Sequence, residues 1–374
     1  MNNRADVAIV GAGIVGLAHA LAAARRGYDV VVFERDPRAV GASIRNFGLV
    51  WPIGQRTDQY ETALRSREVW LDIAHQSDMW LLESGSLNIA RYPEEIAVME
   101  EFLAGHPAAR ANGCQILESR EVTRRSPSVR SAGLLGGMWS PTELTVDPRH
   151  AVPAVTAYLR SRYAVCFEFD TQVTGIELPR VRTTRGDWYA EQVLICSGAD
   201  FNTLYPQAHE ASGMQRCKLQ MMRTVPQPGS WQLGAALCGG LSLLHYAGFA
   251  HTPTLPTLRE RLGHAYPDQR GSGVHGLVSQ TDRGELSIGD SHEYAVGDDP
   301  FIREELNDLV LSYLADFVDL PTTEIAQRWH GVYASSGDDR ALTRETPAPG
   351  VTIVNGFGGA GMTLSFGAAE ELFA

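Results

Sequence analysis

The chain of 374 residues carries 44 acidic and 32 basic side chains, a formal net charge of −12, with 44% apolar and 20% charged residues. That length and mix suit two or three folded domains and exclude global disorder. The acidic balance lacks the positive field that nucleic acid or an anionic membrane requires, and no stretch has the ~18 unbroken apolar residues of a membrane span. The five cysteines, at 114, 166, 196, 217 and 238, are odd in number without a CxxC pair, and the eleven histidines form no HxH or HExxH pair. Neither a disulfide framework nor a metal site is expected, and free thiols fit a reducing cytoplasm.

In chain order, the first predicted element is a buried strand over 6–10, DVAIV. Gly11-Ala12-Gly13-Ile14-Val15-Gly16 follows, then a helix through LAHALAAARRG closed by Gly27. A second buried strand in YDVVVFERD ends at Glu34. A complete βαβ unit is the context in which GxGxxG binds a dinucleotide. Gly11 permits the strand-to-helix turn, Gly13 lets the backbone approach a pyrophosphate, and Gly16 lets helix and strand pack. The first helical turn, at Ile14 and Val15, presents N–H groups to the phosphates. Glu34 is placed to accept bonds from ribose hydroxyls, which disfavours a 2′-phosphate. The small apolar run Val7–Ala24 also has the character of a secretory core, but its spaced glycines and His19 fit the nucleotide unit instead. The unit leaves open which dinucleotide binds. The loop Gly41-Ala42-Ser43-Ile44-Arg45-Asn46-Phe47-Gly48 is polar and glycine-flanked, suited to wrap a second part of the cofactor.

The spacing predicts helices over 61–74 and 94–103 and a short strand over 85–90. Asp147 caps a further helix that opens at Pro148 and runs to about Arg160. Strands are predicted over 166–178 and 189–196. The second runs into Ser197-Gly198, where a strand ending in glycine can pass a nucleotide closely. From Lys218 to about Ser291 the pattern reads as strands separated by Gly- and Pro-rich turns, and 301–317 as a helix. The last segment returns to the opening theme: a strand over 350–355, the glycine-dense turn Gly358-Gly359-Ala360-Gly361-Met362-Thr363, and a further helix whose N-terminus can meet negative charge.

Six segments, VAIVGAGIVGLAHALAAARRGYDVVVFERD, GASIRNFGLVWP, LTVDPRHAVPAV, EQVLICSGAD, RWHGVYASSGDDRALTRE and NGFGGAGMTLSFGAA, resemble in order the FAD-dependent D-amino acid oxidase family, with glycine and sarcosine oxidases as relatives. The resemblance implies an α/β fold. A Rossmann-like FAD-binding domain of the glutathione reductase type, over 1–84, 141–213 and 326–374, interleaves with an α+β substrate domain on an antiparallel or mixed sheet, over 85–140 and 214–325. It implies FAD. Gly11, Gly13, Gly16, Glu34 and Arg35 would bind the ADP half, and Val173 matches an adenine-contacting strand. Ala42, Ser43, Arg45 and Asn46 match the loop beneath the flavin. Ser197, Gly198, Gly331 and Gly358–Thr363 complete the cofactor contacts. Gly331 stands where covalent sarcosine oxidases carry a cysteine, so the FAD is expected to be noncovalent.

The resemblance also implies oxidation of a small amine by hydride transfer to the flavin, with oxygen or another acceptor reoxidising it. Glycine and D-amino acid oxidases place a carboxylate-clamping arginine where this chain has Tyr333, so the substrate's anion is expected elsewhere. SIRNFGLVWPIGQ resembles a subgroup associated with aminophosphonate catabolism, which points to 2-aminoethylphosphonate or an N-alkyl analogue and to phosphonoacetaldehyde as product. Arg45, Trp51, Arg223, His245 and Arg340 are the substrate-binding candidates. Lys218, the one lysine of the chain, is the candidate for activating oxygen, and Tyr246, His330 and Tyr333 are the candidates for fixing the amine. A D-amino acid, glycine or sarcosine oxidase, or a quinone-linked dehydrogenase, is the second reading. A flavin-binding protein without catalysis is the third.

Overall fold

The computed structural model describes residues 3–294, 299–336 and 340–374. Gly337 to Asp339 of the RWHGVYASSGDDRALTRE motif lie outside the described residues. The strand Arg4–Val10 runs parallel to Val30–Phe33 on one side and to Gly186–Ile195 on the other, with Val10 level with both Phe33 and Ile195. Val351–Asn355 extends this parallel array beyond Gly186–Ile195, and Cys166–Glu168 beyond Val30–Phe33. Central strands such as Val30–Phe33 are buried throughout, which explains their unbroken apolar runs. One face packs on the helices Ile14–Arg25, Tyr60–His75, Pro148–Tyr163 and Gly361–Leu372. The other is covered by Val173, Val181, Leu204 and their neighbours.

A second, nine-stranded sheet is mostly antiparallel. Its spine is the strand Gln215–Thr224, paired over its whole length with Ile325–Ser335 and flanked on its other edge by Leu286–Gly289 and Glu293–Tyr294. The helices Pro93–Gly105, Leu255–Ala265 and Glu304–Phe317 contribute to its separate core. The chain passes between the two sheets several times, so the units interleave. A third, small sheet joins Leu49–Val50, Leu81–Leu82 and Leu144–Val146.

Three expectations change. The strand read over 166–178 is two, Cys166–Glu168 and Val173–Glu177, separated by a turn in which Asp170 takes φ +51°. The stretch 218–291 is not strand and turn alone, because Leu255–Ala265 is a helix that buries Leu255, Leu258 and Leu262 on one face. The proline after Leu255, read as a turn signal, sits in the first helical turn, where its missing N–H has no cost. The boundary drawn at 326 falls inside Ile325–Ser335, a strand of the second sheet through its pairing with Gln215–Thr224. No helix among the described residues is long and apolar enough to cross a membrane.

Candidate functional site

A cavity of about 1150 Å³ lies where the two sheets meet. Its nucleotide end is built by the parallel strands. Gly11 takes φ +104°, and a Cβ there would run into the carbonyl oxygen of Cys196 on the adjacent strand. A Cβ on Gly16 would run into the carbonyl oxygen of Gly11. Gly16 therefore packs beneath the turn without lining the cavity, whereas Gly11, Gly13, Ile14 and Val15 all line it. Glu34 Oε2 accepts the N–H of Ala12 at 3.0 Å and Oε1 that of Asp36 at 3.1 Å. Burial raises its carboxyl above the usual range, and these two N–H groups partly offset the rise. Arg35 is held by Asp200 at 2.8 Å, and Val173, Ser197 and Gly198 border the same end.

The loop 41–48 crosses the helix N-terminus. Ser43 Oγ accepts the N–H of Ile14 at 2.9 Å. Asn46 folds the loop on itself, donating to the carbonyls of Ala42 and Ser43 at 3.0 Å and accepting from Gly48 N–H at 2.8 Å. Arg45 donates to the carbonyl of His330 at 3.3 Å, and Gly331 packs against it. Opposite lies the N-terminus of the helix Gly361–Leu372. Thr363 Oγ1 accepts the N–H of Trp51 at 2.9 Å, and the carbonyl of Met362 accepts from Trp70 Nε1 at 2.9 Å. Gly358 to Thr363 all line the cavity.

The far end is aromatic and ionisable. The Trp51 ring stacks on Tyr246 at 5.9 Å. Tyr246 meets His245 and His275 edge-on. His245 stacks on His275 at 4.0 Å, and His292 packs against both. Asp290 lies between His275 and His292, with contacts of 2.8 and 3.7 Å. His245 is recessed yet open, its exposed surface facing the cavity. Burial and the neighbouring imidazoles hold it well below the usual histidine range. Burial also lowers His292, against the pull of Asp290. Burial would raise Asp290, but His275 and His292 bring it below its usual value. Tyr333 completes this wall, 6.3 Å from the His292 ring. His275, Asp290 and His292 were not singled out in the sequence. They come from segments brought together by strand pairing, and no spacing links them to His245.

Over residues 6–374 the chain matches the model of the family described as DAO, FAD dependent oxidoreductase. The chain belongs to this family of FAD-dependent oxidoreductases. It is 28% identical over 214 residues to glycine oxidase of Geobacillus kaustophilus (strain HTA426), covering 53% of this chain and 56% of that one. It is 27% identical over 218 residues to gamma-glutamylputrescine oxidoreductase of Escherichia coli (strain K12), covering 52% and 49%. The chain thus spans about half the length of these curated relatives. Its fold is that of the crystal structure of glycine oxidase from Geobacillus kaustophilus, with TM-score 0.77 at 21% identity over 98% of this chain and 92% of that one. The fold also matches L-proline dehydrogenase from P. horikoshii, with TM-score 0.80 at 18% identity over 100% and 93%.

The residues present fit the flavin dinucleotide of this family. The glycine turn has no room for side chains on its inner side, the cavity continues from Glu34 past two helix N-termini, and Trp51 Nε1 is a buried donor without a partner in the described residues. Among the substrate and catalytic candidates, Arg45, Trp51, His245, Tyr246, Tyr333 and Arg340 line the cavity. Lys218, His330 and Arg223 are not among its lining residues. Side chains alternate along a strand. Cys217, Leu219 and Met221 cluster with Tyr333, so Lys218 lies on the other face. There its Nζ donates to the carbonyl of Phe301 at 2.6 Å and pairs with Asp299 at 3.5 Å. His330, in register with Gln220, shares that face. Arg223 is buried over the Trp329 ring at 4.8 Å and bonds Gln327 at 3.0 Å. Arg340 donates to the carbonyl of Ser212 at 2.8 Å.

Proposed function

We propose that this oxidoreductase removes two electrons from the carbon–nitrogen bond of a small amine, and that its substrate is 2-aminoethylphosphonate or an N-alkyl analogue. The amine carbon loses hydride, its nitrogen loses a proton, and water hydrolyses the resulting iminium to phosphonoacetaldehyde and ammonia or an alkylamine. The bound flavin supplies the two-electron acceptor. The chain's residues bind, orient and exclude water. Gly11, Gly13 and the Ile14–Val15 turn would hold the pyrophosphate, Glu34 the ribose, and the Gly358–Thr363 turn the electron-rich edge of the ring, with the FAD noncovalent. Trp51, Tyr246 and Tyr333 would wall the substrate, and Arg45 and Arg340 would supply its anion site.

The observation that carries the phosphonate reading is Tyr333 itself. It stands in the cavity wall where a carboxylate clamp would stand, and burial holds its hydroxyl well above the usual range, so it stays neutral. A bidentate arginine clamp is worth much in a dry site, and without it a simple α-amino acid loses its anchor. An anion displaced by one carbon and met by other arginines fits better. The test is the visible spectrum of the oxygen-free holoenzyme with 2-aminoethylphosphonate, followed by N-methylated analogues, glycine, sarcosine and D-alanine. Bleaching by the phosphonate first and fastest is expected. Bleaching by glycine or D-alanine alone would replace the phosphonate reading with the amino acid one.

A further inference from the structure

Small amines arrive at neutral pH as ammonium ions, so amine oxidation, on which this inference rests, needs somewhere to put a proton. His245, His275, Asp290 and His292 offer a place that the family assignment does not. Nδ1 of His292 lies 3.1 Å from the carbonyl oxygen of Gly273. A carbonyl only accepts, so Nδ1 carries the hydrogen. In the neutral ring Nε2 is then a lone pair, and it faces Asp290 Oδ2 at 3.7 Å. His275 is the other partner of Asp290. Ser242 Oγ donates to the carbonyl of His275 at 2.8 Å, and His275 Nε2 lies 2.8 Å from Asp290 Oδ1, the distance at which an imidazole N–H donates to a carboxylate. The lone pair of His292 Nε2 and the Asp290 carboxylate are two acceptors facing one another, and a proton entering at that Nε2 turns repulsion into a charge-assisted bond.

A metal ion is the rival way to fill such a set, since nitrogens of His245, His275 and His292 lie within 4.8 Å of one another. The ring planes argue against it. His245 and His275 are parallel within 13°, so their in-plane lone pairs run side by side and do not converge on one point as zinc ligands do. The cluster lines the cavity, and it is linked through Tyr246 and Trp51 to Thr363 at the N-terminus of the last helix. Tyr246 faces it from the segment after His245, Tyr333 and Cys217 face it from the paired long strands, and Tyr294 and Cys238 lie beside these. All five are neutral in the ordinary range.

We propose that this cluster is the proton acceptor for the substrate's ammonium group, with His292 Nε2 beside Asp290 as the receiving atom. The nitrogen–hydrogen bond of the ammonium breaks, its electron pair stays on the amine, and a new nitrogen–hydrogen bond forms at His292 Nε2. The imidazolium pairs with Asp290, so net charge is conserved. The amine is then neutral when its carbon gives up hydride. His245, stacked on His275, is a positioning residue at the mouth of the cluster.

The test uses holoenzyme labelled with 13C-histidine and a non-oxidisable amine, 2-amino-2-methylpropylphosphonate, whose amine carbon carries no hydrogen. If glycine is the amine that bleaches the flavin, 2-aminoisobutyrate takes its place. Binding at pH 7 is expected to convert one imidazole signal from neutral to charged, and Asp290→Asn to abolish that change while keeping flavin. Flavin reduction by the oxidisable amine is expected to slow about 100-fold at pH 7 in Asp290→Asn. It should recover toward the wild-type rate by about pH 10, where the amine is largely free. His292→Gln should behave alike and stands in if Asp290→Asn fails to fold. Binding without a change in imidazole charge overturns the proposal, as does equal slowing at every pH. So does one equivalent of a transition metal whose removal by chelator stops reduction. If no amine reduces the flavin, the amine reading fails first and takes the cluster's role with it. Reduction without imidazole charging fails the cluster alone.

Discussion

At Gly11 two constraints coincide, a left-handed φ and a neighbouring carbonyl oxygen where a Cβ would go. Gly11→Ala is therefore expected to purify without flavin colour, measured as the ratio of visible to ultraviolet absorbance. Gly13→Ala should fold without the backbone clash of Gly11→Ala, because its added carbon meets only the Ser43 side chain, with the hydroxyl oxygen at 3.0 Å, and any loss of flavin colour then reports the close approach of the pyrophosphate. These roles were legible from the residues because each glycine answers a local steric demand. The placement of Lys218 and His330 was not. Gln215–Thr224 is buried on both faces over most of its length, so polarity alone did not say which face looks into the cavity, and one step of alternation decides it.

Among the elements, the nucleotide helix Ile14–Arg25 carries an unusual burden. His19 is fully buried, with Nδ1 2.7 Å from the carbonyl of Val15 and Nε2 without a partner. Burial lowers it from 6.5 to about 4. The unfolded chain therefore takes up a proton as pH falls through 6.5 while the folded chain refuses it until about 4. The contribution of His19 to stability is full above pH 6.5 and is lost progressively down to about 4, by roughly 3 kcal/mol. In His19→Leu, thermal melts between pH 6.5 and 4 are expected to fall less steeply than in the wild type. A parallel fall in both proteins would reject this cause. Elements of this kind, with a period and a cap close in sequence, were read with ends within a few residues. The helix Leu255–Ala265 was missed because prolines that mark turns elsewhere mark a helix start here. The histidine–aspartate cluster was missed because four residues spread over 245–292 meet only through tertiary pairing.

For the whole molecule, the cavity belongs to neither sheet alone. Glu34 and Gly11 come from the parallel sheet, Leu219 and Tyr333 from the antiparallel one. A ligand that fills it binds only when both are folded, so saturating FAD is expected to raise the melting temperature and to draw both sheets into one transition. Calorimetry of flavin-free and flavin-loaded protein checks this. A second transition that stays at the same temperature with and without FAD would show the sheets to be thermodynamically separate. The interleaving itself was legible, since nucleotide-type segments recur at both ends of the chain, but the exact boundary required the partner of Ile325–Ser335.

Lys218 has a consequence for chemistry done to the protein from outside. It is the chain's one lysine, and its side chain is 2% exposed behind the nine-stranded sheet. The basic residues at the surface are arginines and histidines, so acylating reagents, aldehydes and enzymes that modify lysine find no side-chain amine on the native molecule. Modification of Lys218 would then mark the moments when the long strand pair comes away from Phe301 and Asp299, a single-site clock for the opening of that sheet with no background from other lysines.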